Sequence, residues 1–274
     1  MARFPYHRLA VLAALATLAA LGCATAPEPE TTVLAKVPER IVILPMNVTA
    51  ALPAELKDES SAVWSALEVY LRAHGASLKT LAYPSARSLW LASIRDARAD
   101  PKLKDPGFEE AARLFVAKLV QHTEFDALVV PSLYVQRAQL AGTSARWEGT
   151  EQTIELVGRA DVQIPSDAAI EGVVPAASLH VAVFDASGAK LHEGRSGLAL
   201  LVRARLAHSG TPNEPPTFAF VPRDGPLDRG RLVRGAARAF TPWVPMLPAA
   251  TLDELATRVK SGPPDTTAPP APAP

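Results

Sequence analysis

Two hydrophobic rhythms divide the chain. Arg40-Ile-Val-Ile-Leu-Pro45 opens with four consecutive aliphatic residues, a run that reads as a strand buried on both faces, as at the centre of an α/β sheet. From Pro53 to His74 the period is helical: Trp64, Leu67, Leu71 and His74 recur three or four residues apart. Pro53 suits the first turn and Gly75 the position just past the end. Ser77–Tyr83 predicts a second strand. Pro84 opens a helix to about Arg98 with Leu89, Trp90 and Ile94 inward, and Asp100–Gly107 is a polar loop. Phe108, Ala112, Phe115, Leu119 and His122 mark a third amphipathic helix over Phe108–Thr123. Phe125-Asp-Ala-Leu-Val-Val then predicts another central strand, so the first half reads as strands joined by helical crossovers.

The second half turns to a period of two. Ile154 and Leu156 alternate with Glu151, Thr153 and Glu155, and Leu179, Val181 and Val183 alternate with His180, Ala182 and Phe184. Asp185-Ala-Ser-Gly188 is a turn from which Lys190 onward returns as a partner strand, and Leu198–Arg205 is a further strand. This pattern predicts antiparallel hairpins with one solvated face. Gly210–Pro226 reads as a Pro-rich loop, Leu227–Phe240 as a helix and Leu252–Val259 as a short one. The fold class is therefore α/β: one mixed sheet with helices packed on it, parallel in the first half and antiparallel in the second.

Composition adds location more than chemistry. The chain has 274 residues, no net charge and 26 prolines, many of them in linkers. The charge balance gives no global field to attract nucleic acid. Arg3, His7 and Arg8 precede the apolar run Leu9–Leu21, which has the form of a signal peptide and is shorter than the about 20 residues a spanning helix needs. The run ends at Ala19-Ala20-Leu21-Gly22-Cys23, a relaxed lipobox in which Leu21 adjoins Gly22 and Ala20 stands one place earlier. Cleavage between Gly22 and Cys23 leaves Cys23, the single cysteine, as a lipid-modified first residue; the other reading is an ordinary secretory signal with a free thiol. Acyl chains at about 0.8 kcal/mol per buried methylene would anchor the protein firmly. The division expected is signal peptide 1–22, Pro-rich tether 23–38, a single α/β domain 39–260 and a Pro/Ala tail 261–274.

The search for reactive groups returns little. His7, His74, His122, His180, His192 and His208 offer no His-Glu-x-x-His spacing, so no metal or other cofactor is expected. His180 and His192 flank the Asp185–Gly188 turn and read as two surface histidines on the wet face of a hairpin. His74 and His122 read as capping or core-edge residues. No Gly-x-Ser-x-Gly elbow and no phosphate loop is present. Arg231, Arg234 and Arg238 line one helix face, either as a contact for an anion or partner protein or as a solvated surface.

Together, the lipobox, the tether, Arg40-Ile-Val-Ile-Leu-Pro45, Phe125-Asp-Ala-Leu-Val-Val and Val181-Ala-Val-Phe-Asp-Ala-Ser-Gly188 make the stretch 39–205 resemble the small α/β lipoproteins of the bacterial envelope. These are the type found in the amino-terminal part of the Tol-system propeller protein, the curli-secretion lipoprotein and the activators of penicillin-binding proteins. The resemblance implies an outer-membrane, periplasm-facing, non-enzymatic binding or assembly module with an envelope protein partner; Ala24 after the cysteine fits outer-membrane sorting. It carries over no functional residue. An envelope hydrolase with a dispersed Ser/His/Asp site and a purely structural lipoprotein are the alternatives.

Overall fold

The computed structural model describes residues 37–103, 105–157, 171–207 and 217–260. Gly22 and Cys23, and the expected tail, lie outside the described residues. Val37 already packs against the core, so the folded part begins slightly before residue 39.

Strand β1 (Arg40–Ile43) lies parallel between β2 (Ser77–Thr80) and β3 (Ala127–Ala141). The crossovers carry helices α1 (Ser60–Ala73), α2 (Tyr83–Ala99) and α3 (Phe108–Leu119). On its other edge β3 pairs antiparallel along its whole length with β7 (Glu171–Asp185), which turns into β8 (Lys190–Leu200). The last residues of β3 also pair with β4 (Ser144–Trp147), and β4 with β5 (Thr150–Thr153), completing a seven-stranded mixed sheet. The α/β class and the parallel-then-antiparallel order are as the sequence implies. A second, three-stranded sheet stands beside the single sheet expected: β6 (Leu156–Val157), β9 (Val202–Ala207) and β10 (Thr217–Pro222). Its strand β10 falls in the stretch that reads as a Pro-rich loop, because Phe218 and Phe220 alternate with Ala219 and Val221 against β9.

Helices cover both faces of the central strands. On one face α1, α4 (Arg229–Phe240) and α5 (Ala249–Arg258) bury Leu67, Tyr70, Leu232, Phe240 and Leu255 against Ile41, Val129, Val181 and Val183. On the other, α2 and α3 set Trp90, Ala112, Phe115 and Leu119 against Val42, Leu128, Ala182 and Phe184. Each fully buried large apolar side chain contributes about 1.5–3 kcal/mol. The β7–β8 hairpin is thus covered on both faces where the sequence predicts one wet face: Ala182 and Phe184, read as the outer set, sit under α3.

Element boundaries shift for local reasons. Helix α1 begins at Ser60, because Ala54–Leu56 forms a single 3-10 turn that buries Leu56 before the helix proper. Helix α3 stops at Leu119, where its buried stripe ends, leaving Val120 and His122 exposed, so His122 is not a core-edge residue. Ile154 points inward with Thr150 and Gln152, and Glu151, Thr153 and Glu155 point outward, as the alternation predicts; only Leu156, at the start of β6, is exposed instead of buried.

Candidate functional site

The α2–α3 face of the sheet is apolar at both ends and polar in the middle. Along β3, residues Leu128 and Val130 face α2 and α3, and Ala138 and Leu140 face a separate cluster with Trp147, Ile154, Val174 and Leu200. Between them, on the same face by the twofold period of a strand, stand Ser132, Tyr134 and Gln136. Antiparallel register sets Ser132 opposite His180, Tyr134 opposite Ser178, and His180 opposite Arg195 on β8. Directly paired residues share a face. The result is a polar belt across three strands, with Glu193 one row nearer the helices.

The β4–β5 hairpin supplies the belt's other wall. It folds back over β7 and β8, where Gly197 N donates to Glu148 O (3.1 Å), Thr150 Oγ1 donates to Gly197 O (2.9 Å) and Leu200 N donates to Gln152 Oε1 (3.1 Å). Trp147 Nε1 donates to Ala177 O, and its indole lies so close over Gly197 that a Cβ there would meet Nε1 at 2.5 Å. The turn between the strands is two residues long, with Glu148 at φ 41° and Gly149 at φ 66°. Left-handed backbone at both positions is the hairpin geometry that Asn-Gly favours; glutamate in the first position costs conformational energy. That backbone carries the Glu148 carboxylate to the belt, where Oε1 accepts from Tyr134 Oη (3.1 Å) and Gln136 Nε2 (3.2 Å).

The electrostatics of the belt are tightly coupled. Burial first, and then the Glu148 charge, push the Tyr134 phenol up to about 12, so it stays protonated and donates. Ser178 is fully buried beside Tyr134 and weakly favours its ionised form, yet the two do not meet in hydrogen-bond geometry, and Ser178 Oγ has no partner among the described residues. Glu193 accepts from Lys190 Nζ (3.0 Å) and pairs with His180 Nε2 (3.0 Å); these contacts, Lys190 foremost, hold its carboxyl below the usual range. Ser132 Oγ meets Thr49 Oγ1 at 3.4 Å, on the loop after β1.

That loop is fixed by Asn47, which is buried at φ 58°. Its side-chain amide donates to Leu133 O (2.9 Å) and Ala51 O (3.2 Å), and its Oδ1 accepts from Leu133 N (2.8 Å). Asn47 thus pairs with β3 in the gap between the stretches held by β1 and β4, and seats the loop at the belt's edge.

The residues singled out from sequence fall elsewhere. Arg231, Arg234 and Arg238 do share a face of α4. Arg238 turns inward: Nε donates to Ser196 Oγ and Nη2 to Gly197 O, both at 3.1 Å, and burial lowers its pKa. Arg234 pairs with Asp253 (2.8 Å) and Asp228 (3.8 Å), while the Arg231 side chain forms no ion pair among the described residues. His180 joins the belt, but His192 is not a surface residue. It lies on the opposite face of β8, with Nε2 bonded to Ala239 O (2.8 Å) and its ring stacked on Trp243, so the two histidines do not meet. Among the described residues no group of three or more His, Cys, Asp or Glu is placed to hold a metal ion. No described helix is long and apolar enough to cross a membrane. Tyr134, Gln136, Glu148 and Ser178 were not marked by sequence; the available signal was the polar trio at alternate positions between two apolar pairs on β3, and a glutamate where a hairpin favours asparagine.

No family model matches the chain, and no curated protein matches it. A solved structure, that of a neuraminyllactose-binding hemagglutinin homolog from Helicobacter pylori, is similar at 8% identity and a TM-score of 0.31, covering 81% of this chain and 92% of that one.

Proposed function

We propose that the chain is an envelope lipoprotein, anchored through Cys23 at the outer membrane, whose folded part is a non-enzymatic binding module with the polar belt as its binding face. The observation that carries this reading is the belt itself. Half-buried polar side chains interrupt an otherwise apolar sheet face, and a hairpin turn takes an unfavoured backbone to bring Glu148 to them. Binding residues held on strands by neighbouring hydrogen bonds are preorganised for a ligand. The lipid foot and a tether of about 15 residues, reaching about 50 Å at about 3.3 Å per residue, would leave the module free to meet a partner.

A photo-crosslinking residue at Arg195, exposed in the belt, is expected to capture an envelope component in cells, while the same residue at exposed Lys57 captures none. In the same cells a Cys23→Ala form is expected in the soluble periplasmic fraction. Equal capture at both positions overturns the belt as binding face, and a membrane-bound Cys23→Ala form overturns the anchor.

One observation favours a hydrolase as the second reading: Ser132, His180 and Glu193 stand on three successive strands. The His180–Glu193 contact is of the kind such a site needs, but against it Ser132 Oγ bonds Thr49 Oγ1 rather than the imidazole. Ester hydrolysis by the purified protein that is lost in Ser132→Ala would establish this reading instead.

A further inference from the structure

The belt's chemistry defines the ligand it fits. Its ionised groups are few and mixed in sign: Glu148 and Glu193 stand with Lys190 and Arg195, and Lys190 is also held by Glu109. With both signs interleaved, the belt makes no strong field for a polyanion or polycation. What it presents is a dense mixture of short-range donors and acceptors. Glu148 uses only Oε1 toward Tyr134 and Gln136, so Oε2 faces no described donor. Gln136 and Glu148 orient each other, and Arg195, His180 and Ser132 add groups on the next row.

We infer that the belt is a saccharide site, in which the half-buried Glu148, Gln136 and Tyr134 hydrogen-bond the hydroxyls of a neutral, polyhydroxylated ligand. Carboxylate and amide side chains accept from and donate to adjacent hydroxyls, a match that a sugar ring supplies and an apolar or purely anionic ligand does not. The inference rests on the binding-module reading of the belt.

The test is calorimetry on the full-length lipidated protein in detergent, titrated with chitotetraose, maltotetraose and lactose. At least one sugar is expected to bind saturably, with an affinity that stays level as salt is raised, because the ligand is uncharged. Glu148→Gln is expected to weaken binding by about tenfold or more. Glu148→Asn, which suits the left-handed turn and so preserves the hairpin, is expected to do the same. Arg231→Ala on α4 is expected to leave binding unchanged. Failure of all three sugars to bind, or binding indifferent to both Glu148 variants, overturns the inference. If the sugars fail while Glu148→Asn still abolishes crosslinking from Arg195, the belt binds something other than a saccharide and only the ligand class is wrong. If crosslinking is also lost from the wild type, the binding-module reading falls with it.

Discussion

Asn47 shows how much one side chain can hold at the residue scale. It pairs both backbone groups of Leu133 from outside the sheet and takes a left-handed backbone that asparagine tolerates better than most residues. Asn47→Ala would orphan a buried N–H and a buried C=O together, and is expected to destabilise the protein by about 3 kcal/mol. Chemical denaturation would measure the loss, and a change within about 0.5 kcal/mol would show that the loop is held by other contacts. In sequence this residue lies in a stretch without glycine and looks like ordinary loop. Its partner is 86 residues away, so no local pattern could reveal it.

Elements meet most closely where helix α4 crosses β8. A Cβ at Gly194 would collide with the Ala239 carbonyl, and one at Gly235 with Leu198. Both glycines stand where helix and strand touch, not where the backbone needs unusual angles. Arg238, at the same crossing, bonds Ser196 and Gly197 and so joins helix to strand. Gly194→Ala pushes against backbone that cannot swing away, and a loss of about 3 kcal/mol is expected. Arg231→Ala, at the other end of the helix, is expected to change stability by less than about 0.5 kcal/mol. Thermal unfolding of the two variants side by side tests the contrast, and equal midpoints would contradict the close crossing. The arginine periodicity on α4 was legible in sequence, but the inward turn of Arg238 depended on which strand the helix lies across.

Across the whole molecule, burying the two sheet faces leaves neutral imidazoles inside. Burial lowers the pKa of His192, despite its bond to Ala239 O, and of His74, whose Nε2 is buried with no partner among the described residues. With folded values below the unfolded value of about 6.5, the unfolded chain takes up protons first, so stability is full above that pH and falls as pH drops below it. The carboxyls of Asp126 and Glu193, held low by Arg40 and Lys190, add their own loss only at lower pH, below about 4.5. A His192→Gln variant, which keeps a donor for Ala239 O, is expected to flatten the fall in melting temperature between about pH 6.5 and 5, whatever its absolute stability. An unchanged slope would mean that His192 does not carry this dependence.

Fold class and most of the elements are written in the local pattern of the chain, because periods of 3.6 and two residues are properties that hydrophobic side chains impose on any chain that buries them. The Ile41–Leu44 and Ala127–Val130 runs announce central strands, and the Gly22-Cys23 junction carries the expected anchor. Which polar residues converge depends on contacts between distant segments. Tyr134, Ser178 and Glu148 lie on separate strands and a turn, and they meet because the register of β3 with β7 and the fold-back of the β4–β5 hairpin bring them to one face. Register and hairpin placement are set by packing among distant segments, which no window of sequence contains.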